Sequence, residues 1–487
     1  MIRSTLPATV TFMVYLISPV GLTAQLDYWD FDQDVMPNAW EYHRDLDVED
    51  PKDAWADPDQ DGVCNIYEYY LGTHPQDPTQ PLILEYDGLL PLGDFIRSAP
   101  RGAVLRIPQG EYTLNYQHDF YDSPPRLVIQ GGWNADFSER DHCKYLTTLR
   151  GTNDRPIFDF LIGTGNSSAL VLDGFTLTEG QRGAVHFTSY ISKAQLLIAN
   201  CILNGNAATR SSAIVQYEDG DFTIISDVVI MNSTIADNTG TGLRVEQWSN
   251  LSNLKVLHSI IGYNKPSDND LQPLTSGYGM IYSPGADSLM HVQMANSILW
   301  GNTLADVWFN DPDLAPVAVN SRYNIYGYVK RDSLSVPFRH ISDSGLDPVL
   351  FQDNGWYYLG TNSPARGSGQ NIGLTDAVHP DVGIVPCSER ITTSTTSPRT
   401  QVPACHVFPN PAQQRVTVEL FRPVAGQGHL YLYDPRGRRV QQIDIGFHPR
   451  GHHRIPVDLS ALPGKTYWLQ MVLQGQQPSR PILLIRE

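Results

Sequence analysis

The sequence predicts an all-β chain. A solenoid of short stacked strands fills the middle, and a small unit of alternating strands closes the C-terminus. Three observations carry this. Five segments between Leu170 and Asn302 repeat one theme: an apolar strand, a polar corner and a second short strand. Alternating apolar residues resume after a Ser/Thr/Pro stretch and run to Ile485. The 39 glycines and 35 prolines in 487 residues supply many turns.

In chain order, the first element is a leader. Arg3 is the only charge before Asp27, an apolar run spans Val10 to Leu22, and Leu22-Thr23-Ala24 offers a small-residue cleavage site before Gln25. That is the three-part layout of a secretory signal peptide, assigned to residues 1–24. The run is short for a bilayer span, which takes about 20 apolar residues, so no transmembrane segment is expected in the mature protein. The net charge of −18 excludes the basic face that nucleic-acid binding demands.

The acidity is concentrated in residues 25–80, where fifteen Asp and Glu face only Arg44 and Lys52. Two stretches there share the carboxylate spacing of a twelve-residue EF-hand-type loop, whose oxygens suit calcium. In the second, the expected ligands are Asp57, Asp59, Asp61, the carbonyl of Val63, Asn65 and Glu68, with Gly62 at the sharp turn. In the first they are Asp30, Asp32, Asp34, the carbonyl of Met36, Asn38 and Glu41, but Val35 replaces the glycine. The alternative is a solvated acidic linker. The tandem, with the following Tyr69-Tyr70-Leu71-Gly72-Thr73-His74-Pro75, resembles thrombospondin type 3 calcium-binding repeats. That resemblance implies a structural ion.

The repeats of residues 81–386 align at Asp173, Asn200, Asn232, His258 and Asn296. Their spacing is irregular, as in a solenoid whose loops vary in length. One coil cannot bury its apolar side chains, but a stack of coils shares a continuous core. A β-sandwich or a propeller is the competing reading. The pattern resembles a right-handed parallel β-helix of the pectate-lyase-like kind. So do Pro100 to Tyr112 and Ile129 to Asp141, which resemble its entry coil and neighbouring segments. Asp347-Pro348, Ser363-Pro364-Ala365 and Asp381-Val382-Gly383 resemble its closing coil. A short helix near Phe95-Ile96 is expected to cover the first rung.

Residues 387–402 read as a flexible linker. Residues 403–487 contain Phe408-Pro409-Asn410-Pro411-Ala412, Leu430-Tyr431-Leu432-Tyr433-Asp434 and Ile482-Leu483-Leu484-Ile485-Arg486. They resemble the C-terminal sorting domain of the type IX secretion system of Bacteroidota. The fold class expected is therefore a right-handed parallel β-helix solenoid followed by a small antiparallel β-sandwich domain. The resemblance implies the type IX machinery as partner, and a protein secreted or attached to surface lipopolysaccharide on the outer membrane. An oxidising exterior allows the five cysteines to pair, and Cys387 with Cys405 is one expected bridge.

Many pectate-lyase-like β-helices cleave acidic polysaccharides, and the scaffold permits that chemistry. The best local candidates for a catalytic or cation site are Glu218, Asp219, Asp221, His186 and Glu246; the alternative is that they are solvated turn residues. The motifs of polygalacturonases and pectate lyases are missing from the repeats. The sequence therefore favours a non-catalytic glycan- or matrix-binding protein. Trp248, Trp300, Trp308 and Tyr282 are candidate exposed aromatics for stacking on sugar rings. A polysaccharide lyase or glycoside hydrolase is the alternative.

Overall fold

The structure is a computed structural model. It describes residues 30–385 and 405–486, apart from 115, 121–125, 153–154, 164–166, 192, 209–212, 221–224, 250, 267–275, 285–288, 311–316, 332–337, 342–343, 354–355, 376–379, 423–425, 435–437, 448–450, 463–465, 474–478 and 480–481. Residues 1–24 and 387–402, read above as a leader and a linker, lie outside the described residues.

The middle of the chain is a parallel β-helix. Three parallel sheets of ten, eight and eight strands run along it, and each sheet takes every third strand of the chain from its second coil onward. One coil shows the plan. Lys193–Ala199 belongs to the long sheet, Ile202–Leu203 to a short-strand sheet and Ala213–Asp219 to a third sheet. The next coil begins with Ile225–Met231, which pairs in register with Lys193–Ala199.

Strict register places like side chains over one another. Leu170, Leu196, Val228, Leu254 and Val292 form one inward row. All are essentially inaccessible to solvent. Phe160, Phe187, Tyr217, Val245, Tyr282 and Phe309 form another. The rings of Phe187 and Tyr217 stack 5.5 Å apart. Tyr282, expected at the surface, is fully buried in this row. Along its strand Met280 and Tyr282 join the main core, whereas Ile281 packs with Tyr278 and Ala305 in a separate cluster.

The corner between the long and short-strand sheets is where polar groups must be satisfied along the axis. Asn200, Asn232, His258 and Asn296 occupy equivalent places on successive coils. Each has φ between 46° and 53°, and each donates its N–H to the last residue of the next long-sheet strand. Asn tolerates this left-handed conformation better than most residues. One expected alignment shifts by a residue. Asp173 pairs with Ala199 in the sheet, and Gly174 (φ 81°) takes the corner. Behind the corner, the N–H groups of Cys201, Ser233 and Ser259 donate to the hydroxyls of Ser233, Ser259 and Ser297. A second ladder links Asn206, Asn238, Asn264 and Asn302 through backbone and side-chain amides.

The expected covering helix is present as Leu92–Ser98, with Leu92, Phe95 and Ile96 packed on Leu84 and Leu105. The far end differs from expectation. Leu350–Asp353 and Trp356–Leu359 form an antiparallel hairpin, not a further coil. Trp356, Leu359, Ala365, Val382 and Ile384 then pack with Ala236 and with Ile202, Ile260, Ile298 and Ile325, which share one row of the short-strand sheet with Thr234. This strap runs back down the amide corner. Gly383 N–H donates to the Asn296 carbonyl at 2.6 Å, and Val385 N–H to Asn232 Oδ1 at 2.8 Å. Irregular, proline-containing segments like this one carry no periodicity that betrays where they lie.

The C-terminal region is an antiparallel β-sandwich. Cys405–Phe408, Arg415–Arg422 and Gly451–Asp458 form one sheet, and four strands from Gly428–Tyr433 to Ile482–Ile485 form the other. Val416, Val418, Leu430, Leu432, Leu469 and Met471 fill the space between. Cys64 and Cys201 are free and buried, while Cys143 is disulfide-bonded. The expected Cys387–Cys405 bridge falls on side chains outside the described residues.

Asn238 accepts from two groups of Asn206 and donates to Leu203, Ala236 and Asn264. Asn238→Ala leaves several of these buried groups unpaired and should cost about 3 kcal/mol. Urea unfolding of the purified variant checks this; a loss under about 1 kcal/mol would mean the ladder contributes little.

Candidate metal centre

The two acidic loops share one backbone. Gln33 and Gln60 have φ of 71° and 62°, and Val35 and Gly62 have φ of 87° and 92°. Asp30 Oδ2 accepts from Val35 N–H at 3.1 Å, and Asp57 Oδ2 from Gly62 N–H at 2.9 Å. Asp34 Oδ1 accepts from Met36 N–H at 2.7 Å, and Asp61 Oδ1 from Val63 N–H at 2.8 Å. A short helix follows each turn, Asn38–Tyr42 and Asn65–Leu71, and carries the last carboxylate, Glu41 or Glu68.

A β-branched residue in the left-handed region costs on the order of 1–3 kcal/mol. Val35 offsets this by burial. Its side chain joins a cluster with Met36, Tyr69, Tyr70 and Val229. Gly62 has no such freedom to change, because a Cβ there would lie 2.8 Å from the guanidinium of Arg106. That guanidinium donates to the Gly62 carbonyl at 3.2 Å.

The carboxylates are crowded and dry. Ligand atoms of Asp57, Asp59 and Asp61 lie within 4.8 Å of one another, as do those of Asp30, Asp32 and Asp34, and of Asp34, Glu41 and Asp53. Buried oxygens without a hydrogen-bond partner occur on Asp32, Asp34, Glu41, Asp53, Asp57, Asp59, Asp61, Asn65 and Glu68. Burial, followed by the neighbouring carboxylates, pushes Asp61 and Glu41 up to about 9 and Glu68 to about 8. Asp32 rises to about 7, mainly by burial and then by Asp30. Isolated buried charge is costly, so such a cluster is neutralised either by protons or by a cation. The donor set is oxygen only, which fits a hard dication.

The segment is not a free-standing module. It lies on the outer face of the long sheet, where Ile83, Val104, Val128, Val171, Leu197 and Val229 stack in register. The next residues in that row are Lys255 and Gln293. Here the first loop meets the sheet through polar contacts, Lys255 with Asp30 and Gln293 with Gln33. Fully buried Asp173 ties three parts together. It accepts from Tyr67 of the acidic segment at 2.5 Å and from Asn200 of the corner at 2.7 Å, and pairs with Arg140.

The candidate catalytic residues are not gathered into one site. His186, Gln216 and Arg244 form one row on the third sheet, and Thr188, Glu218 and Glu246 a second. Glu218 is held by Gln216, and Glu246 by Arg244 at 2.5 Å. Asp219 points the other way. It is buried, and its Oδ1 accepts from the N–H groups of Trp248 and Ser249, which anchors that turn. Burial pushes His186 down to about 4. Asp221 lies outside the described residues. Of the candidate aromatics, Trp248 is 52% exposed. Trp300 and Trp308 are half-buried.

The sandwich strands from Cys405 to Ile485 can be compared with known families. Residues 406–484 match the secretion system C-terminal sorting domain. This sorting domain marks the chain for export and implies contact with the type IX secretion machinery. Among solved structures, the crystal structure of pectate lyase Pel9A is similar at 13% identity and a TM-score of 0.30, over 61% of this chain and 90% of that one. No curated protein matches this chain. Among the described residues, no helix is long and apolar enough to cross a membrane.

Sequence reading missed Asp53, which falls between the two loops and belongs to neither pattern. It also missed Lys255, whose partner Asp30 lies 225 residues away, and the junction at Asp173, whose partner Tyr67 lies 106 residues away. Asp173→Ala should strand the buried Arg140 guanidinium and cost about 3–5 kcal/mol. Chemical denaturation of the variant measures this; a change near zero would mean the junction is dispensable.

Proposed function

We propose that this protein is an exported, calcium-stabilised β-helix that binds an extracellular glycan or matrix partner along its wall without turning it over. The observation that carries the reading is the outward row of the third sheet: Asp159, His186, Gln216, Arg244, Ile281, Trp308 and Lys330. At its end Trp308 stacks on Tyr278 at 5.0 Å, and Lys330 Nζ sits 3.6 Å from the Trp308 ring centroid. A partly exposed indole with a cation beside it suits a sugar ring with acidic substituents. The acids on the neighbouring row are engaged in local pairs, as a binding wall would have them.

A polysaccharide-cleaving reading has one observation in its favour. Glu218 and Glu246 are register partners on adjacent strands. Strands lie ~4.8 Å apart, near the ~5–5.5 Å carboxyl separation of retaining glycosidases. Incubating the protein with uronate and neutral polysaccharides separates the two readings. The binding reading expects retention in affinity electrophoresis, at least a tenfold loss of it in Trp308→Ala, and no new reducing ends or unsaturated products. Products that vanish in Glu218→Gln or Glu246→Gln would establish cleavage instead.

In the acidic segment, Asp57, Asp59, Asp61, Asn65 and Glu68 would hold one ion, and Asp32, Asp34 and Glu41 another. The ion's role would be structural, replacing protons as the counter-charge to carboxylates held against the sheet. Extracellular modules bind calcium at about 10⁻⁴–10⁻³ M. Chelation should therefore open new protease sites between residues 30 and 80 while the solenoid strands persist. An unchanged digestion pattern would remove calcium from the reading.

A further inference from the structure

The two loops are alike in backbone but unequal in the oxygens they have to spare. In the second, Asp57 Oδ1, Asp59 Oδ2, Asp61 Oδ2, Asn65 Oδ1 and both oxygens of Glu68 are buried without a hydrogen-bond partner. In the first, two expected ligands are already spent. Asp30 Oδ1 accepts from Gln33 and Asp34, and its Oδ2 accepts from Val35 and pairs with Lys255. Asn38 Oδ1 accepts from Phe31 N–H at 2.9 Å. The first loop is thus short of free donors for an ion that takes six to eight oxygens.

The structure places a replacement beside it. Asp53 stands on the 3-10 turn Asp53–Trp55, outside both loops. Its ligand atom lies within 4.8 Å of those of Asp34 and Glu41. Its Oδ2 is fixed by Asp47 N–H at 2.8 Å, which leaves Oδ1 buried and unpartnered. The side chains it faces, Asp34 and Glu41, are 4% and 0% exposed, and both carry unpartnered oxygens. The backbone carbonyl of the same residue accepts from Asn65 Nδ2 at 2.8 Å, which orients the free Oδ1 of Asn65 within the second loop.

We propose that Asp53 is a ligand of the first divalent-cation site, and that its carbonyl, by holding Asn65, couples that site to the second. This rests on the calcium reading above. The two ions then act as one unit: filling the first fixes Asp53, and fixed Asp53 presents Asn65 already aimed.

The test is calorimetric titration of the purified full-length protein with calcium, comparing wild type, Asp53→Asn and Asp61→Asn. Asp53→Asn keeps the side chain's size and an acceptor for Asp47 N–H. The expected result is two binding steps in the wild type, one of them weakened at least tenfold by Asp53→Asn and the other weakened less. Asp61→Asn should weaken the opposite step. Affinities within twofold of wild type in Asp53→Asn, with calcium still bound, would overturn this proposal and leave the calcium reading standing. No calcium uptake by the wild type would overturn both. A terbium-soaked crystal of the unaltered chain provides a readout that does not depend on the variant folding. It should place Asp53 Oδ1 within about 2.6 Å of the metal, and a coordination shell without Asp53 would refute the assignment.

Discussion

Register is the constraint from which the rest of this molecule follows. Parallel coils paired residue for residue force each side chain over its counterpart on the next coil. Inside, that gives continuous rows of Leu, Val and Phe, and amide and hydroxyl ladders in which one coil's donors meet the next coil's acceptors. Outside, the same rule accumulates apolar residues into long stripes that need covering. Ile83 through Val229 is one stripe, and Ile202 through Ile325 is another.

The two stripes are covered by different pieces of chain. The returning strap takes the short-strand sheet, and the acidic segment takes the long sheet. Covering has an electrostatic consequence. A segment that presents Val35, Met36, Tyr69 and Tyr70 to the sheet also draws its carboxylates out of water. The packing that satisfies the sheet therefore creates the charge problem in the loops. Lys255 answers part of it at Asp30. The remaining unpaired oxygens are the physical basis for the dication we propose.

Much of this was legible in the sequence because it is written in local spacing. The corner asparagines Asn200, Asn232 and Asn296 repeat in a recognisable context, and the carboxylates of both loops keep fixed intervals. The errors have physical causes. Asp173 resembles a corner asparagine, but Gly174 reaches the left-handed region more easily and takes the place. Tyr282 was read as exposed because alternation reveals two faces without saying which is inward. Val35 shares the left-handed conformation of Gly62, and the burial of its side chain, which no spacing rule encodes, holds it there. The strap, Asp53 and the Cys143 disulfide depend on contacts between distant parts of the chain, and no spacing rule encodes those.

The outward stripe on the long sheet changes character after Val229: Lys255, Gln293 and Asn320 continue the row as polar residues. Lys255 and Gln293 still lie under the first acidic loop, but they meet it through polar contacts. The row is therefore divided into an apolar lower part that requires covering and a polar upper part that does not. Coils added beyond Gln293 would need no extra sheathing, whereas coils added below would outgrow the plate that shields them. Height could vary freely in one half of this architecture and only together with the N-terminal segment in the other.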